Sequence, residues 1–216
     1  MALLESRHSM GESPSRALSD APPAVDDDLV ARAREGDLDA FNQIVALHQR
    51  LVFNLCLRML GDGAAAEDAT QEAFLSAYRN IRSLRGDRVR PWLLRIAANA
   101  CTDELRRRAR RPALSLDAPL PGGNDPPDLP DAAAGPEAEA LRGEQRARVQ
   151  QALLTLPHDQ RMAVVLCDVQ GLAYEEIAEA MRTSVGTVKS RIARGREKLR
   201  RELAGEHPGE RDRHDV

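Results

Sequence analysis

Aromatic residues and long apolar runs are both scarce in this chain. Three Phe, two Tyr and one Trp are spread over 216 residues. Most apolar residues are Ala, Leu and Val, a composition that favours small helical bundles over a β-sandwich. No run approaches the roughly 18 apolar residues of a membrane-spanning helix, and the N-terminal residues lack the apolar core of a secretory signal. We therefore expect an all-α, cytoplasmic protein.

Cysteine is rare as well. Cys56, Cys101 and Cys167 are far apart, without a CxxC motif or Cys/His pairing. They are expected to be buried thiols of a reducing compartment rather than metal ligands or disulfides. His48 and His158 have no evident catalytic partner, and the acidic clusters lie outside the helical patterns. The sequence therefore predicts no cofactor, no metal site and no enzymatic activity.

Helical periodicity is interrupted once along the chain. Residues 113–136 are rich in proline and glycine and hold four acids but no base, as is typical of a flexible linker. The prediction is two small helical domains on either side of this linker, with a disordered tail at each end of the chain. The predicted domains are 26–112 and 137–204, and the predicted tails are 1–25 and 205–216.

Glycine and proline mark the helix boundaries of the first domain. Helical spacing over LDAFNQIVALHQRLVFNLCLRML, residues 38–60, ends at Gly61. A second helix is predicted to start at Gly63 and to be closed by Gly86, and Pro91 suits the first turn of a third.

Positive charge is concentrated in two segments of a chain whose formal net charge is −3. Residues 82–111 hold ten arginines and three acids, and residues 182–201 hold eight basic residues and one acid, so each segment has a net charge of +7. Two basic surfaces in a mildly acidic chain indicate two contacts with one polyanion.

The second basic segment follows a helix-turn-helix pattern. A short helix, LAYEEIAEAM, and a three-residue turn precede a longer helix for which Ser184 is placed as N-cap. Val188 and Ile192 lie on its inward side, and the opposite side carries hydroxyl and basic groups that suit the major groove of DNA. The candidate DNA-binding residues are Thr187, Lys189, Ser190, Arg191, Arg194 and Lys198. The alternative is a solvated basic helix end that binds only the acidic linker.

The motifs EEIAEAM and VGTVKSRIARGREKLR resemble region 4, the −35-reading domain, of bacterial sigma-70 factors of the extracytoplasmic-function (ECF) group. Four positions depart from that pattern. Ala173 lacks the usual N-cap hydroxyl, Thr183 replaces an apolar turn residue and Ala193 replaces a bulkier side chain. Arg182 replaces a glycine, and a left-handed conformation there would cost on the order of 1 kcal/mol.

The motifs EDATQEAFLSAYRNIRSL and RPWLLRIAANACTDELRRRARR resemble region 2 of the same family, which docks on RNA polymerase and opens the −10 element. The resemblance implies that the polar face of the first of these helices grips the largest polymerase subunit, with Leu75 as an apolar anchor. The candidate polymerase-binding residues are Asp68, Gln71, Glu72, Leu75 and Arg79. The alternative is a solvated face.

Aromatic, amide and guanidinium groups lie side by side on the next helix, as suits unstacked bases. The candidate residues for the −10 element are Trp92, Arg95, Asn99, Asp103, Arg106 and Arg107. The alternatives are core packing for Trp92 and intrahelical capping or bridging for Asn99 and Asp103. The resemblance also implies a pocket for a flipped base in the basic loop 83–90, where Val89 replaces an aromatic residue that the family often has.

Together the two matches imply an ECF sigma factor whose partners are core RNA polymerase and promoter DNA, and usually an anti-sigma factor. The alternative is a self-sufficient helix-turn-helix regulator, which would leave the first domain unexplained. Two basic surfaces on a flexible tether also predict that the isolated chain binds DNA weakly and with strong salt dependence.

Overall fold

The computed structural model describes residues 27–84, 86, 88–110 and 136–205, and these residues form helices without β-strands. Eight α-helices follow one another in this described part of the chain. They are α1 (Asp27–Glu35), α2 (Leu38–Leu60), α3 (Gly63–Asn80), α4 (Val89–Arg110), α5 (Pro136–Leu154), α6 (His158–Val164), α7 (Tyr174–Ala180) and α8 (Val185–Ala204). The all-α prediction is confirmed.

The first four helices form module 1, in which α1, α3 and α4 pack around α2. The inward face of α3 is built mostly from alanine, which lets the helices approach closely. Its buried residues are Ala65, Ala66, Ala69, Ala73, Phe74 and Ala77. On α4 the inward residues Leu94, Ala97, Ala98 and Cys101 are buried, and Leu105 is half-buried.

Local signals define the ends of these helices. The Asp37 carboxylate accepts hydrogen bonds from the backbone N–H groups of Asp39 (2.9 Å) and Ala40 (3.1 Å), which starts α2. Gly61 ends α2 in the left-handed conformation, with φ of 70°. The predicted helix 38–60 is therefore confirmed. After α3 a short 3₁₀ turn runs from Ile81 to Ser83, and Pro91 lies in the first turn of α4, as expected.

The helix-turn-helix is present as predicted. The Ser184 hydroxyl accepts a hydrogen bond from the N–H of Thr187 (3.1 Å) at the start of α8, and Val188 and Ile192 are buried. Arg182 is in the left-handed region, with φ of 50°, and is the one described residue other than glycine with a positive φ. Ala173 cannot cap α7 with its side chain, but the Glu176 carboxylate accepts a hydrogen bond from its N–H (2.9 Å).

Helices α5–α8 form module 2, and this module packs directly on module 1. The buried guanidinium of Arg161 donates to the Met59 carbonyl near the end of α2, and also to Leu154 O (2.7 Å) and Leu156 O (3.1 Å). Leu154 sits so close to Gly61 that a Cβ there would come within 2.5 Å of it. A cation at a helix C-terminus complements the helix dipole. The buried arginine therefore fastens module 2 to the end of α2.

Cysteine burial matches the expectation in two of three cases. Cys56 and Cys101 are fully buried in module 1. Cys167 is only half-buried, and it lies on a π-helical turn, Val165–Val169, which continues α6. The expectation of a buried thiol is therefore wrong for Cys167. The predicted linker and tails fall outside the described residues, except that Pro136 begins α5 and that Gly205 follows α8.

Replacing Gly195 by alanine should destabilise the protein by about 1–3 kcal/mol. A Cβ at this position of α8 would lie 2.6 Å from Cγ2 of Val164 on α6. The matched control is Gly186→Ala on the same helix, where the nearest atom, Ser184 Oγ, is 3.8 Å away and alanine gains about 0.5–1 kcal/mol of helix propensity. Urea unfolding followed by circular dichroism measures both. Equal stability of the two variants would contradict the close packing of α8 on α6.

Candidate nucleic-acid and polymerase interfaces

The candidate polymerase-binding residues all lie on the exposed face of α3. Asp68, Gln71, Glu72, Leu75 and Arg79 are solvent-exposed, and Leu75 retains 51% of its surface. Arg79 and Glu72 are 3.9 Å apart, a distance at which an exposed ion pair contributes little to stability. The side chains of this face are therefore available to a partner.

An apolar groove that the sequence analysis missed borders this face. It has a volume of about 600 Å³ and runs between α2 and α3, beside Leu75. Phe41 and Tyr78 meet edge to face in its wall, with ring centroids 5.0 Å apart. Helical spacing assigns Phe41 to the core, and its ring is buried. Tyr78 lines the groove and stays 42% exposed, a detail that helical periodicity does not predict.

The candidate residues for the −10 element are unequally exposed along α4. Asp103, Arg106 and Arg107 are exposed, whereas Arg95 and Asn99 are half-buried. Arg106 pairs with Asp103 at 3.5 Å, and Arg107 pairs with Glu104, so part of this charge is bridged within the helix. The alternative of intrahelical bridging is therefore observed for Asp103.

Trp92 is mostly buried, with 6% of its surface exposed. Its ring lines a pocket of about 570 Å³, together with Arg88 and Arg95. This environment corresponds to the alternative of core packing, with one edge of the ring in the pocket. An incoming base could stack on Trp92 only after the pocket opens further.

Module 2 closes this pocket with two carboxylates from α7. Arg88 pairs with Glu176, and Arg95 lies 3.3 Å from Glu179. Beside them Arg90 donates to the carbonyl of Gln170, and burial lowers the pKa of this arginine. Module 2 therefore already engages three arginines that precede or belong to the candidate −10 residues.

Neither periodicity nor motifs in the sequence predict this contact between the modules. Glu176 and Glu179 read as ordinary polar positions of a helix-turn-helix, and their partners lie 88 and 84 residues away in the chain. The only indication in the sequence was that acids precede the recognition helix while the basic segment 82–111 lies in the other domain.

A second groove lies between α4 and the helix-turn-helix. Asn99 and Arg106 of module 1 line it, together with Arg182 and Arg191 of module 2. His158 of module 2 contacts module 1, since its Nε2 lies 3.2 Å from the hydroxyl of Thr102. Burial lowers the pKa of His158, and nearby arginines act in the same direction. A neutral imidazole is thus part of the contact between the modules.

The candidate −35 residues divide into exposed and engaged side chains. Lys189 and Arg194 are exposed; Lys189 lies over the Tyr174 ring at 5.9 Å, and Arg194 has no hydrogen-bond or ion-pair partner among the described residues. Arg191 pairs with Asp159 of α6, and Lys198 donates to the carbonyl of Thr155 (2.7 Å).

The two hydroxyls of this face are also in local contacts. Ser190 donates to the Thr187 carbonyl (2.9 Å), and the Thr187 hydroxyl lies 2.9 Å from that of Ser184. Arg194 and Lys189 are consequently the two candidates best placed to meet DNA without rearrangement.

The described residues hold no group of three or more His, Cys, Asp or Glu side chains that could bind a metal ion. Among the described helices none is long and apolar enough to cross a membrane.

Two protein-family models match the chain. The model for sigma-70 region 2 matches residues 44–111, which include α3 and α4. The model for sigma-70 region 4 matches residues 146–199, which include the helix-turn-helix. The three candidate faces lie within these two matches.

Curated bacterial proteins are similar to nearly the whole chain. The RNA polymerase sigma-H factor of Pseudomonas aeruginosa is 40% identical over 183 residues, which are 82% of this chain and 93% of that protein. The ECF RNA polymerase sigma factor SigW of Bacillus subtilis is 39% identical, over 81% of this chain and 94% of its own. The ECF RNA polymerase sigma-E factor of Escherichia coli K12 is 40% identical, over 81% and 92%.

Solved structures are similar as well. CnrH, in complex with the cytosolic domain of CnrY, matches with a TM-score of 0.60 and 29% identity, over 85% of this chain and 99% of that one. The sigma factor RpoE from Bartonella quintana, in complex with the anti-sigma factor NepR, matches with a TM-score of 0.61 at 23% identity, over 79% and 100%. The second likeness concerns the fold alone.

Proposed function

This chain belongs to the sigma-70 family and is an RNA polymerase sigma factor of the ECF type, and we propose that three of its helices divide the work of promoter recognition. The exposed face of α3 binds core polymerase, α4 with its preceding loop binds the −10 element, and α8 reads the −35 element. The observation that carries the proposal is that the three candidate faces, two of them basic, lie on the helices matched by the models for regions 2 and 4.

In vitro transcription tests whether the protein directs core polymerase to a promoter. In vitro transcription with purified polymerase core and this protein should produce transcripts from the cognate promoter, and neither component alone should do so. A self-sufficient helix-turn-helix regulator would instead bind its operator without polymerase and would not confer promoter-dependent initiation on core. Sigma factors are transcription initiation factors, and we propose that this one has no catalytic activity of its own and works in the cytoplasm, where core polymerase is found.

The contact between the modules adds a step to this function. The arginines Arg88, Arg90 and Arg95 would meet the −10 element, yet they are engaged by α7 and the turn before it. Exposed ion pairs contribute about 0–1 kcal/mol each, so the two carboxylates hold the pocket closed only weakly. We propose that docking on core polymerase separates module 2 from α4 and thereby exposes the −10 face.

A protein inhibitor is a further proposed partner. The structural relative CnrH was solved in complex with the cytosolic domain of another protein, CnrY. That complex and the ECF resemblance support a partner of the anti-sigma kind for this chain. Such a partner should compete with core polymerase for the protein, so adding it should lower the amount of this protein that co-purifies with core.

The double substitution Asp68→Arg with Leu75→Glu should weaken binding to core polymerase at least tenfold while the fold is retained. Both side chains are exposed on α3, so their loss opens no cavity, but an apolar anchor and a charge of an interface would be replaced. Analytical co-purification and fluorescence anisotropy with labelled protein measure the affinity.

The matched control places the same kinds of charge change on α5. Leu141 is 57% exposed and Glu144 is exposed, so Leu141→Glu with Glu144→Arg alters charge and apolar surface outside the proposed face. This control should bind core as the wild type does. If the α3 variant also binds core normally, α3 is not the docking helix.

A further inference from the structure

Arg182 follows α7 in a backbone conformation that suits glycine better than arginine. Its φ is 50°, and no other non-glycine residue in the described part of the chain has a positive φ. The N–H of Arg182 donates to Glu179 O (3.2 Å), and the N–H of Thr183 donates to Ala178 O (2.9 Å). This pair of bonds closes a helix around a left-handed residue, which is usually glycine. An arginine is strained there, so the turn forms at a conformational cost.

The side chain of Arg182 makes no polar contact that offsets this strain. The residue is exposed, and its guanidinium has no hydrogen-bond or ion-pair partner among the described residues. A cation at the end of a helix complements the helix dipole, but at an exposed position this effect is small and is screened by salt. Hydrogen bonds and ion pairs within the described structure therefore give no reason for a positive charge at this position.

The groove between α4 and the helix-turn-helix shows where this charge is directed. Arg182 lines it together with Arg106 of α4 and Arg191 of α8. Arg106 lies 3.5 Å from Asp103, and Arg191 pairs with Asp159. The described lining of the groove contains no acid besides these two. Arg182 is therefore the guanidinium whose charge no carboxylate of the groove compensates.

An uncompensated guanidinium beside a recognition helix suits a DNA phosphate. The first helix of a helix-turn-helix crosses the DNA backbone, and the second enters the major groove. Arg182 stands in the turn between these two helices and shares its groove with Arg191, a candidate −35 residue. We propose that Arg182 contacts a backbone phosphate of the −35 duplex. This inference rests on the proposed role of α8, and the contact forms once module 2 has separated from α4.

A phosphate contact positions the helix-turn-helix on the duplex and carries no sequence information. It also releases a condensed counterion, so its loss is visible in the salt dependence of binding. A polymerase contact is the competing explanation for an exposed arginine in this turn. Only the DNA contact predicts a changed salt dependence together with unchanged affinity for core.

The test compares Arg182→Gly with the wild type, each assembled with core polymerase. On a promoter duplex the slope of log affinity against log salt should fall in magnitude by about 0.9. Affinity for the promoter and for a duplex with a scrambled −35 element should fall by the same factor. The free variant should melt about 1–4 °C higher, because glycine adopts the left-handed conformation without strain. Binding and stability should thus change in opposite directions.

Two further variants separate the charge from the strain. Arg182→Lys keeps the positive charge and the strained backbone, so its salt slope and melting temperature should stay near those of the wild type. Arg182→Asn removes the charge and places at this position a residue that tolerates the left-handed conformation, so its salt slope should fall as it does for Arg182→Gly. Fluorescence anisotropy measures the slopes, and thermal melting followed by circular dichroism measures stability.

Three results would overturn the phosphate contact: an unchanged salt slope in Arg182→Gly, a lower melting temperature in that variant, or a loss of affinity for core polymerase. Arg194→Ala, measured in parallel, separates this inference from the proposed function. If Arg194→Ala loses promoter selectivity while Arg182→Gly keeps the wild-type slope, only the phosphate contact is refuted. If Arg194→Ala also binds the promoter normally, the assignment of α8 to the −35 element fails, and the phosphate contact fails with it.

Discussion

Replacing Arg194 by alanine is expected to lower transcription from the cognate promoter roughly 5- to 150-fold while binding to core polymerase is unchanged. This range corresponds to the about 1–3 kcal/mol that a bidentate arginine–guanine contact contributes. Arg194 is exposed on α8 and has no partner among the described residues. Its removal therefore takes away the proposed DNA contact without taking away a contact that holds the fold.

Arg200 supplies the matched control on the same helix. It is exposed and pairs with Glu197, and it lies off the face that carries Arg194. Arg200→Ala should leave promoter choice unchanged, and any loss of DNA binding should be equal for promoter and scrambled sequences. Transcription by Arg194→Ala at the wild-type level over a range of salt concentrations would exclude this residue from DNA reading.

Arg191 requires a different comparison because it is paired with Asp159. Arg191→Ala should lower transcription as strongly as Arg194→Ala if the guanidinium leaves Asp159 to bind DNA. Asp159→Ala removes the competing carboxylate and should then preserve or raise transcription. Equal losses of stability in both variants, with promoter selectivity retained, would assign the pair to the fold instead.

The sequence predicts the structure of this protein correctly where neighbouring residues determine it. The alanine face of α3, the Ser184 cap and the Gly61 end are each decided by residues within one or two turns of each other, and the structure has all three. Arg182 also adopts the left-handed conformation that its place in the turn requires. The family motifs extend this to function, because they cover α3, α4 and α8.

Contacts between side chains far apart in the chain are what sequence patterns do not predict. Lys198 has the spacing of a DNA-facing residue, yet its ammonium is bound by the Thr155 carbonyl. Trp92 has the chemistry of a base-stacking residue, yet it is buried. Both outcomes depend on how the helices pack against one another, and helical periodicity specifies only which side of a helix faces inward.

Of these long-range contacts, the one by which α7 closes the pocket beside Trp92 has the largest expected effect on DNA binding. A flexible linker predicts that the two basic surfaces sample many separations, which already disfavours specific binding by the isolated chain. The structure adds a second reason, since α7 places Glu176 and Glu179 where promoter phosphates would approach Arg88 and Arg95. If the closed form makes up about 99% of the free protein, the apparent affinity for the −10 strand falls about a hundredfold.

The isolated wild-type chain should therefore bind promoter DNA and scrambled DNA almost equally, weakly and with strong salt dependence, and become selective only with core polymerase present. Neutralising the two α7 acids should strengthen DNA binding by the isolated chain roughly 2- to 30-fold, since ion pairs of this kind contribute about 0.2–1 kcal/mol each. Glu176→Gln with Glu179→Gln is the suitable variant, because glutamine can still accept the N–H of Ala173 that starts α7.

Any neutralised acid weakens the repulsion of DNA, so the gain has to be compared with a variant of equal net charge. Glu175 is exposed on the same helix and Glu202 is half-buried near the end of α8, and neither has a described partner in module 1. Glu175→Gln with Glu202→Gln changes the net charge equally without touching the pocket.

Fluorescence anisotropy on a single-stranded −10 oligonucleotide and on scrambled DNA, at two salt concentrations, compares the three proteins. A gain in DNA affinity seen only for the Glu176 and Glu179 variant means that these two carboxylates occupy the DNA-binding site. Equal gains for both variants mean that the general electrostatic repulsion of DNA explains the effect. Nanomolar, sequence-selective binding by the wild type alone would contradict the closed form and would favour a regulator that needs no polymerase.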